Sequence, residues 1–391
     1  MQSNIDWKKI KIVITAGGSG GHVTVSTAVI DNLFKRGIQN DEILFIGGDL
    51  NKGADTTSGS VEQIMTQQIN VPKVFIRAGK LQRKFSLEGI YLAFRTLLGT
   101  WDVFKIFLKI KPKIVVSFGG YVSLPVCLIA ELFGKTIILH EQTAAVGLAN
   151  KIVSLFSDRI LVNFEAAKKY FRNKTVIHTG NPLRENLFEQ VQLTSPFSEE
   201  IQKKLIYKRS KPFLYVTGGG QGSVLFNNLI LDNVDILTQK YNILLQAGNH
   251  SFSQIQKKYK QVTNKLSDEQ KNSILLIDIV KSEIALVLQN CDVVISRGGA
   301  GTISELGALQ KKSIIIPIKW VTHNEQYKNA KILSDAGLAT ILDEDKLTID
   351  DFINAIEQVL QKEQPSQELA KRIFKRNAAE EIGEIIVNYL S

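Results

Sequence analysis

Lys11-Ile12-Val13-Ile14-Thr15 runs directly into Gly17-Gly18-Ser19-Gly20-Gly21. About 200 residues later, Phe213-Leu214-Tyr215-Val216-Thr217 runs into Gly218-Gly219-Gly220-Gln221-Gly222. Each stretch is a strand of the buried type, followed by a glycine loop and an amphipathic helix. Glycine suits such a turn because the backbone needs positive φ there and because a phosphate can then approach bare N–H groups. Each unit opens its own set of alternating strands and helices. The sequence therefore predicts an α/β protein with two doubly wound parallel-sheet domains separated by a cleft.

Length and composition agree with two globular domains. The chain has 391 residues, of which 44% are hydrophobic and 22% charged, and a single core rarely grows that large. Continuous Val and Ile runs separated by helical segments indicate parallel sheets covered on both faces. The predicted domains are 1–188 and 212–365, joined by a polar linker at 189–211. A single last helix, Glu368 to Leu390 within 366–391, is free to pack on either domain.

The ends and the cysteines indicate a reduced compartment. Met1 to Lys9 contain no apolar signal core, and no apolar stretch reaches the ~20 residues that span a bilayer. Cys127 and Cys291 lie inside apolar runs, which is typical of buried free thiols and not of a disulfide or a metal pair.

The formal net charge of +10 is concentrated between Arg77 and Lys113, where nine basic residues meet two acidic ones. Apolar residues recur there at spacings of three and four, which predicts a helix with a broad apolar face. Three interpretations stay open. The helix is a core helix with a solvated basic back, or it lies on a membrane with its aromatics in lipid and its Lys and Arg at anionic headgroups. A nucleic-acid patch is the weakest, because long aliphatic side chains suit neither bases nor phosphates.

The first glycine turn carries one titratable side chain, His22. Its ordinary pKa near ~6.5 suits a general base. The alternative is a histidine that caps the helix or bonds a backbone carbonyl, but its place in a glycine loop at the carboxyl end of a strand favours catalysis. The dinucleotide fingerprint Gly-x-Gly-x-x-Gly fails because Val23 occupies the third glycine position, and neither glycine loop ends in the Gly-Lys-Ser/Thr of a P-loop. Both failures argue against NAD, FAD and nucleoside triphosphates.

Further loops follow predicted strands and therefore belong at the carboxyl edge of a sheet, where ligands bind. Ser296-Arg297-Gly298-Gly299-Ala300-Gly301-Thr302 offers N–H donors for a diphosphate. Glu305, one turn into the next helix, either caps that helix or accepts hydrogen bonds from the two vicinal hydroxyls of a ribose. Ser117–Tyr121 and His140-Glu141-Gln142-Thr143 are the corresponding loops of the first domain.

Taken together, these segments resemble the MurG family of bacterial peptidoglycan glycosyltransferases. Members add N-acetylglucosamine to undecaprenyl-diphospho-N-acetylmuramoyl-pentapeptide. The resemblance is spread in order over almost the whole chain. It is carried by Gly17–Val23, Phe118–Pro125, His140–Asn150 with Lys151, Gly180–Arg184, Gly218–Gly222, Ser296–Glu305 and His323–Ala330.

The resemblance implies an inverting GT-B glycosyltransferase that needs no metal and no other cofactor. The N-terminal domain would bind the lipid-linked acceptor and the C-terminal domain UDP-N-acetylglucosamine. His22 would be the catalytic base, with Glu141 as a second catalytic residue. The predicted donor-binding residues are Ser19, Gly20, Gly21, Thr143, Arg184, Gly220, Lys281, Ala300, Gly301, Thr302, Ile303, Ser304, Glu305, Glu325 and Gln326. The family often has Asn at the position of Thr143 and Ser at that of Gly220.

The resemblance also favours the membrane interpretation of the basic segment, because a polyprenyl-linked acceptor stays in the bilayer. It implies a peripheral protein at the cytoplasmic face of the bacterial inner membrane. An anionic surface would be its partner, and nucleic acid would not. The predicted docking residues are Lys80, Arg83, Lys84, Phe85, Phe94 and Trp101.

Three other functions remain compatible with the residues alone. The chain could glycosylate another lipid, such as a diacylglycerol or a sterol. It could be a dinucleotide-dependent oxidoreductase, despite the missing third glycine. It could also be an inactive protein that binds sugar nucleotides or membranes, given Thr143 and Gly220.

Overall fold

A computed structural model describes residues 5–18, 20–49, 60–67, 69–79, 87–172, 174–189, 195–207, 209–249, 252–281, 283–321, 324–363 and 367–390. The chain forms two compact units. Unit 1 comprises Met1–Arg184 and Lys375–Ser391, and unit 2 comprises Glu185–Phe374.

Unit 1 contains one seven-stranded sheet in which all strand pairs are parallel. Its strands are β1 (Ile12–Thr15), β2 (Ile43–Gly48), β3 (Lys73–Ile76), β4 (Ile114–Ser117), β5 (Thr136–Glu141), β6 (Arg159–Val162) and β7 (Val176–His178). Their spatial order is β3-β2-β1-β4-β5-β6-β7. The central strands β1 and β4 are buried along their whole length, because apolar clusters cover both faces of the sheet. This burial explains their unbroken β-branched sequences.

Within the described residues, six helices cover this sheet. They are α1 (Gly20–Lys35), α2 (Val61–Met65), α3 (Leu87–Phe107), α4 (Ser123–Leu132), α5 (Leu148–Val153) and, from the far end of the chain, α16 (Ala378–Asn388). Short 3-10 turns at Asn40–Glu42 and Glu165–Tyr170 complete the unit.

Unit 2 repeats the scheme with six parallel strands. They are β8 (Phe213–Thr217), β9 (Asn242–Gln246), β10 (Ile274–Ile277), β11 (Val293–Ser296), β12 (Ser313–Ile315) and β13 (Ala339–Ile341), in the order β10-β9-β8-β11-β12-β13. Counted within each unit, both sheets follow the Rossmann-like order that starts 3-2-1-4-5-6.

The described helices of unit 2 include four that the sequence patterns did not predict, α6, α9, α10 and α13. All of them are α6 (Pro196–Ile201), α7 (Val224–Asp232), α8 (Val234–Lys240), α9 (Phe252–Thr263), α10 (Asp268–Asn272), α11 (Ile284–Asn290), α12 (Ala300–Ala308), α13 (Glu325–Asp335), α14 (Ile349–Gln361) and α15 (Gln367–Ile373). A 3-10 turn at Glu185–Leu187 and a π-helical turn at Gln202–Ile206 are also present.

The predicted linker at 189–211 does not behave as an open connection. Its described residues belong to unit 2, where α6 and the π-helical turn bury Ile201 and Leu205 completely. Ser195 Oγ donates to Glu283 Oε1 at 2.7 Å, which fastens the start of α6 to the same unit. The segment is polar because it lies at the surface, and two apolar side chains suffice to anchor it.

The single C-terminal helix predicted from Glu368 to Leu390 is also wrong in form. It is two helices, α15 and α16, separated at residues 374–377. Phe374 ends the part in unit 2 and packs under α12, where a Cβ atom on Gly307 would lie 2.3 Å from its ring. α16 then packs against α1 in unit 1 and buries Ile382 and Ile386. Because of this break, α15 and Phe374 pack in unit 2 while α16 packs in unit 1.

Candidate active site

The first glycine turn lies where the strand order of unit 1 reverses, between β1 and β4. The turn after β1 and the turn after β4 touch here, since Gly17 N donates to Gly119 O at 3.2 Å. Gly120 has φ +90, and a Cβ atom there would lie 1.8 Å from Gly17 O. Only glycine permits both this conformation and this approach. In doubly wound sheets such a point of reversal is where ligands bind.

His22 lies at this point, in the first turns of α1. A Cβ atom on Gly119 would lie 3.3 Å from His22 Cδ2 and 3.1 Å from Asn150 Nδ2, which places both side chains around Gly119. The imidazole is half-buried. Burial lowers the pKa of His22 from 6.5 to about 4, so the ring is neutral at pH 7. Gly20 and Gly21 open the helix, whereas Ser19 lies outside the described residues.

The N–H groups of the first glycine turn are not all available to an anion, in contrast to the prediction. The N–H of Gly18 donates to Glu62 Oε1 at 2.6 Å. Glu62 belongs to α2 and is 2% exposed. A carboxylate therefore already occupies one of the N–H groups that a phosphate would use, and the sequence patterns did not single out this residue.

Hydrogen bonds between Glu141 and Thr143 stabilise the turn after β5. The sequence placed His140 and Glu141 beyond the strand, but they are its last two residues and are buried. The Glu141 carboxylate accepts from Thr143 N at 2.9 Å, from Thr143 Oγ1 at 2.8 Å and from Asn150 Nδ2 at 2.8 Å. Burial raises the pKa of Glu141, and these hydrogen bonds oppose the rise. This geometry differs from the predicted catalytic contact and favours a role in positioning Asn150 and Thr143.

His140 is completely enclosed and donates from Nε2 to Gly180 O at 2.9 Å. Burial lowers its pKa from 6.5 to about 4. Within the described part of the chain, its Nδ1 and the Oδ1 of Asn150 are buried polar atoms without a hydrogen-bond partner.

We expect unit 1 to lose stability as the pH falls from about 6.5 toward 4. Unfolded His140 takes up a proton in this window while the folded form does not, so acid favours unfolding by up to ~1.4 kcal/mol per pH unit. Thermal unfolding of the wild type and His140→Gln at pH 7.5 and 5.0 tests this, because the glutamine can donate to Gly180 but does not titrate. The difference in melting temperature between the two pH values should shrink in the variant, and an equal difference would contradict the assignment.

In unit 2 the corresponding reversal lies between β8 and β11. Gly222 ends the turn after β8 with φ +83, and a Cβ atom there would lie 1.9 Å from Ala247 O. Gln246, the last residue of β9, is buried beneath this turn and was not predicted. Its Nε2 donates to Thr217 Oγ1 at 2.9 Å and to Gly219 O at 3.0 Å.

The amide oxygen of Gln246 accepts hydrogen bonds from a second loop and from β8. Its Oε1 accepts from Val280 N at 2.9 Å and from Tyr215 Oη at 2.9 Å. Val280 precedes Lys281, which is exposed in the loop after β10. One amide therefore fixes the glycine turn and the loop that carries Lys281. A glutamine at the end of an apolar strand is the only sequence signal for this role.

Arg297, in the turn after β11, ties three elements together. Its guanidinium donates to Ser223 Oγ at 3.0 Å, to Ile316 O at 2.9 Å and to Glu344 Oε2 at 2.7 Å. It also stacks over the Phe226 ring at 4.7 Å. Because Ser223 caps α7, Arg297 connects the two turns at the reversal point.

The predicted diphosphate residues open α12, which begins at Ala300 with Gly299 as its N-cap. Gly301, Thr302 and Glu305 are half-buried there, and Ile303 and Ser304 are buried. The first N–H groups of a helix have no partner within the helix and lie at the positive end of its dipole, so the N-terminus of α12 suits an anion.

Gln326 and Glu325 lie in the first turn of α13, and both are half-buried. Gln326 Oε1 accepts from Gly298 N at 3.3 Å and from Ile318 N at 3.0 Å. Its amide oxygen thus supports the turn before α12, and only its amide nitrogen is left for the sugar contact predicted for this residue.

Two further residues predicted to bind the donor are Gly220 in unit 2 and Arg184 in unit 1. A Cβ atom on Gly220 would make one ordinary contact, 3.7 Å from Ile279 Cδ1. A serine would therefore fit there, and the departure to glycine removes a hydroxyl without any steric need. Arg184 is half-buried and is the last residue of the first segment of unit 1.

The predicted docking helix is α3, and both of its faces carry apolar side chains. Leu92, Val103 and Phe107 are buried in unit 1. The opposite stripe is exposed and comprises Ile90, Tyr91, Phe94, Leu97, Trp101 and Leu108. Lys80, Arg83, Lys84 and Phe85 lie outside the described residues.

Three of the basic residues counted in the segment form ion pairs or hydrogen bonds within the described part of the protein, one of them being Lys113, which donates to Leu390 O. Arg77 pairs with Asp102 at 2.6 Å, and Arg95 pairs with Asp49. Lys105 lies over the Trp101 ring at 5.5 Å. The described helices include none that is both long and apolar enough to cross a bilayer.

Comparison with known proteins agrees with this architecture. Residues 12–162 match the N-terminal domain of glycosyltransferase family 28, and residues 213–384 match its C-terminal domain. The crystal structure of MurG from Acinetobacter baumannii superposes with a TM-score of 0.67 at 22% identity, covering 97% of this chain and 99% of that one. A UDP-GlcNAc 2-epimerase from Neisseria meningitidis, bound to UDP-GlcNAc, reaches 0.61 at 14% identity, covering 97% and 99%. These structures show a shared fold, which serves more than one chemistry.

Two doubly wound units with glycine turns at both reversal points, matched by both domains of glycosyltransferase family 28, define a GT-B glycosyltransferase. The chain is 32% identical to an enzyme of Caldicellulosiruptor saccharolyticus, covering 98% of this chain and 99% of the relative. It is 31% identical to one of Clostridium tetani, covering 97% and 98%. Both are named UDP-N-acetylglucosamine–N-acetylmuramyl-(pentapeptide) pyrophosphoryl-undecaprenol N-acetylglucosamine transferase. The chain belongs to this family.

Proposed function

We propose that this protein transfers N-acetylglucosamine from UDP-N-acetylglucosamine to the 4-hydroxyl of undecaprenyl-diphospho-N-acetylmuramoyl-pentapeptide in peptidoglycan synthesis. The observation that carries the proposal is the relationship along nearly the whole chain to enzymes of that name. The position of His22 at the reversal point of unit 1 gives the reaction a base.

Unit 2 has the features of a UDP-sugar site. The N-terminus of α12 and the turn after β8 present N–H groups at one reversal point, where a diphosphate would be neutralised. Glu305 would accept from the ribose hydroxyls, and backbone near Lys281 would read uracil. Gln326, Glu325, Thr143 and Arg184 remain the proposed further contacts to the donor.

Unit 1 has the features of an acceptor site. The neutral His22 imidazole would take the proton of the acceptor 4-hydroxyl. At the same time the hydroxyl oxygen would attack the anomeric carbon of the donor sugar and the bond to UDP would break, with inversion of configuration. A base with a pKa of about 4 holds a proton weakly, so its transfer must accompany bond breaking.

The reaction as proposed needs no metal and no other cofactor. The charge that develops on the departing UDP would meet the positive end of α12 and the N–H groups of the glycine turns, which are already oriented in the folded protein. Such preorganised dipoles can stabilise a leaving group without a cation.

We further propose that α3 docks unit 1 peripherally on the cytoplasmic face of the inner membrane. The supporting observation is the exposed stripe, in which Phe94 and Trp101 are 56% and 54% exposed on a helix whose other face is buried. Lys105, Lys109 and Lys111 would face anionic headgroups, each contributing roughly 1 kcal/mol.

Replacing two of the three stripe aromatics, as Phe94→Ser with Trp101→Ser, should weaken binding to anionic vesicles about 10- to 100-fold. Each aromatic loses roughly 1 kcal/mol or more of apolar burial. Co-sedimentation with phosphatidylglycerol vesicles at low salt measures the change. Tyr207→Ser is the matched control, because Tyr207 is an aromatic residue of unit 2 that is 64% exposed. Unchanged binding of the double variant would mean that the stripe does not contact lipid.

The function itself is tested by incubating the protein with labelled UDP-N-acetylglucosamine and the lipid-linked muramoyl acceptor. We expect a labelled disaccharide lipid, with release of UDP. Parallel reactions with diacylglycerol and a sterol should give no glycolipid. Transfer only to one of those lipids would replace the proposed acceptor, and absence of transfer to all of them would refute the proposed activity.

A further inference from the structure

Glu62 is a buried carboxylate at the reversal point of unit 1 that the proposed mechanism does not use. Its Oε1 accepts the N–H of Gly18 at 2.6 Å from a position 44 residues further along the chain. The residue is 2% exposed. Burying a carboxylate costs free energy unless hydrogen-bond donors satisfy it. The donors that contact Glu62 therefore indicate its structural role.

The short helix that carries Glu62 is fixed at both ends. Ser60 caps its start and donates from Oγ to Gly48 O at 2.7 Å, the last residue of β2. At its other end, Lys73 Nζ donates to Thr66 O at 2.7 Å and to Ile69 O at 2.8 Å. The Glu62 side chain is therefore presented from a rigid support.

Glu62 also reaches the second turn at the reversal point. Burial raises the pKa of the Tyr121 phenol, and the charge of the nearby Glu62 raises it further. Tyr121 belongs to the turn after β4, and its Oη packs so closely on Gly48 that a Cβ atom there would lie 2.3 Å away. One carboxylate thus bonds the backbone of the first turn and lies close to a side chain of the second.

The Gly18 peptide, whose N–H group donates to Glu62, lies just before the start of α1. Gly18 has φ +83, and α1 starts two residues later with Gly20 and carries His22 in its first turns. A shift of the Gly18 peptide would therefore shift His22 with respect to Gly119 and Asn150. Misplacing a catalytic group by about 1 Å can cost roughly 100-fold in rate.

We propose that Glu62 is a positioning residue for glycosyl transfer: it fixes the Gly18 peptide between the two turns and so aims His22. This rests on the proposed function, in which His22 is the base. It also assigns the Gly18 N–H to the protein, so that the acceptor diphosphate must be bound by other groups.

Two substitutions separate the hydrogen bond from the charge. Glu62→Gln keeps an oxygen for Gly18 N–H and offers an amide N–H to Tyr121, and should keep kcat within about threefold. Glu62→Asp keeps the charge but is one methylene shorter, and should lower kcat roughly 10- to 100-fold with an unchanged KM for UDP-N-acetylglucosamine. Glu131→Gln removes an exposed carboxylate of α4 in the same unit and serves as the control.

Amide hydrogen exchange supplies a readout that does not depend on activity. Exchange in a peptide covering residues 16–22 should be about tenfold faster in Glu62→Asp than in the wild type and unchanged in Glu62→Gln. If the wild type transfers no sugar, the proposed function fails while this measurement still tests the contact.

The proposal is overturned if Glu62→Asp keeps the wild-type kcat, because the reach of the side chain to Gly18 would then not matter. It is overturned as well if Glu62→Gln loses as much kcat as Glu62→Asp, because the retained hydrogen bond to Gly18 would then not be sufficient. It is also overturned if the loss of kcat merely follows a loss of folded protein in thermal unfolding. A selective loss in Glu62→Asp, with normal melting and faster exchange, supports it.

Discussion

His22→Ala is expected to lower kcat about 10²- to 10⁴-fold, the usual contribution of a general base, while binding of UDP-N-acetylglucosamine stays unchanged. The imidazole is neutral at pH 7 because burial lowers its pKa to about 4, and it lies beside Gly119 at the reversal point. It is therefore able to accept a proton throughout the physiological range. Steady-state kinetics with saturating donor and acceptor, together with calorimetry of donor binding, measure the two effects.

Two further variants make this result specific. His22→Gln keeps polarity and approximate size but cannot take up a proton, so its loss should match that of alanine. His178→Ala changes another histidine of unit 1, at the end of the edge strand β7, and should leave kcat nearly unchanged. In the wild type, kcat/KM should be flat from pH 6 to 8 and fall on the acid side as His22 becomes charged. Full activity of His22→Gln would remove His22 from the mechanism.

Gln246→Ala is expected to weaken the binding of UDP-N-acetylglucosamine roughly 10- to 100-fold and to cost about 2–4 kcal/mol of stability. The buried amide makes four hydrogen bonds, to Thr217, Gly219, Val280 and Tyr215. Its loss releases the glycine turn after β8 and the loop before Lys281 together. Both loops belong to the proposed donor site, so calorimetry with UDP-N-acetylglucosamine reads the effect directly.

Gln289→Ala is the matched control for this variant. Gln289 also donates twice to backbone carbonyls of unit 2, to Leu187 O and Glu189 O at 3.0 and 2.9 Å, but not to a glycine turn. It should change stability slightly and donor affinity not at all. Gln246→Glu keeps the acceptor for Val280 and loses the donor for Gly219, so its donor affinity should fall as well. Wild-type affinity in Gln246→Ala would show that neither loop depends on this amide.

Much of the fold was predictable because its signals are local. The strands Ile12–Thr15 and Phe213–Thr217 are continuous apolar runs, and the glycine turns that follow them reflect backbone conformations of single residues. The spacing of apolar residues likewise predicted α3. That spacing could not tell which face meets the core, because the sequence puts apolar side chains on both.

The errors fall where a second partner overrides a local pattern. His140 and Glu141 were placed beyond β5, because polar residues are rare inside buried strands, yet hydrogen bonds to Gly180, Thr143 and Asn150 allow their burial. The last helix was predicted as one because its helical pattern is continuous from Glu368 onward. It breaks because Phe374 packs under Gly307 in one unit while Ile382 and Ile386 enter the core of the other.

By itself, the sequence determined the parallel α/β class, the two glycine turns and His22 as the candidate base, because each depends on neighbouring residues. Only the tertiary structure decided which groups hold these turns in place. Glu62 reaches Gly18 across 44 residues, Gln246 reaches Thr217 across 29, and Arg297 reaches Ser223 across 74. A hydrogen bond between residues so far apart leaves no periodic trace along the chain, because its geometry exists only once the sheet has brought the strand ends together.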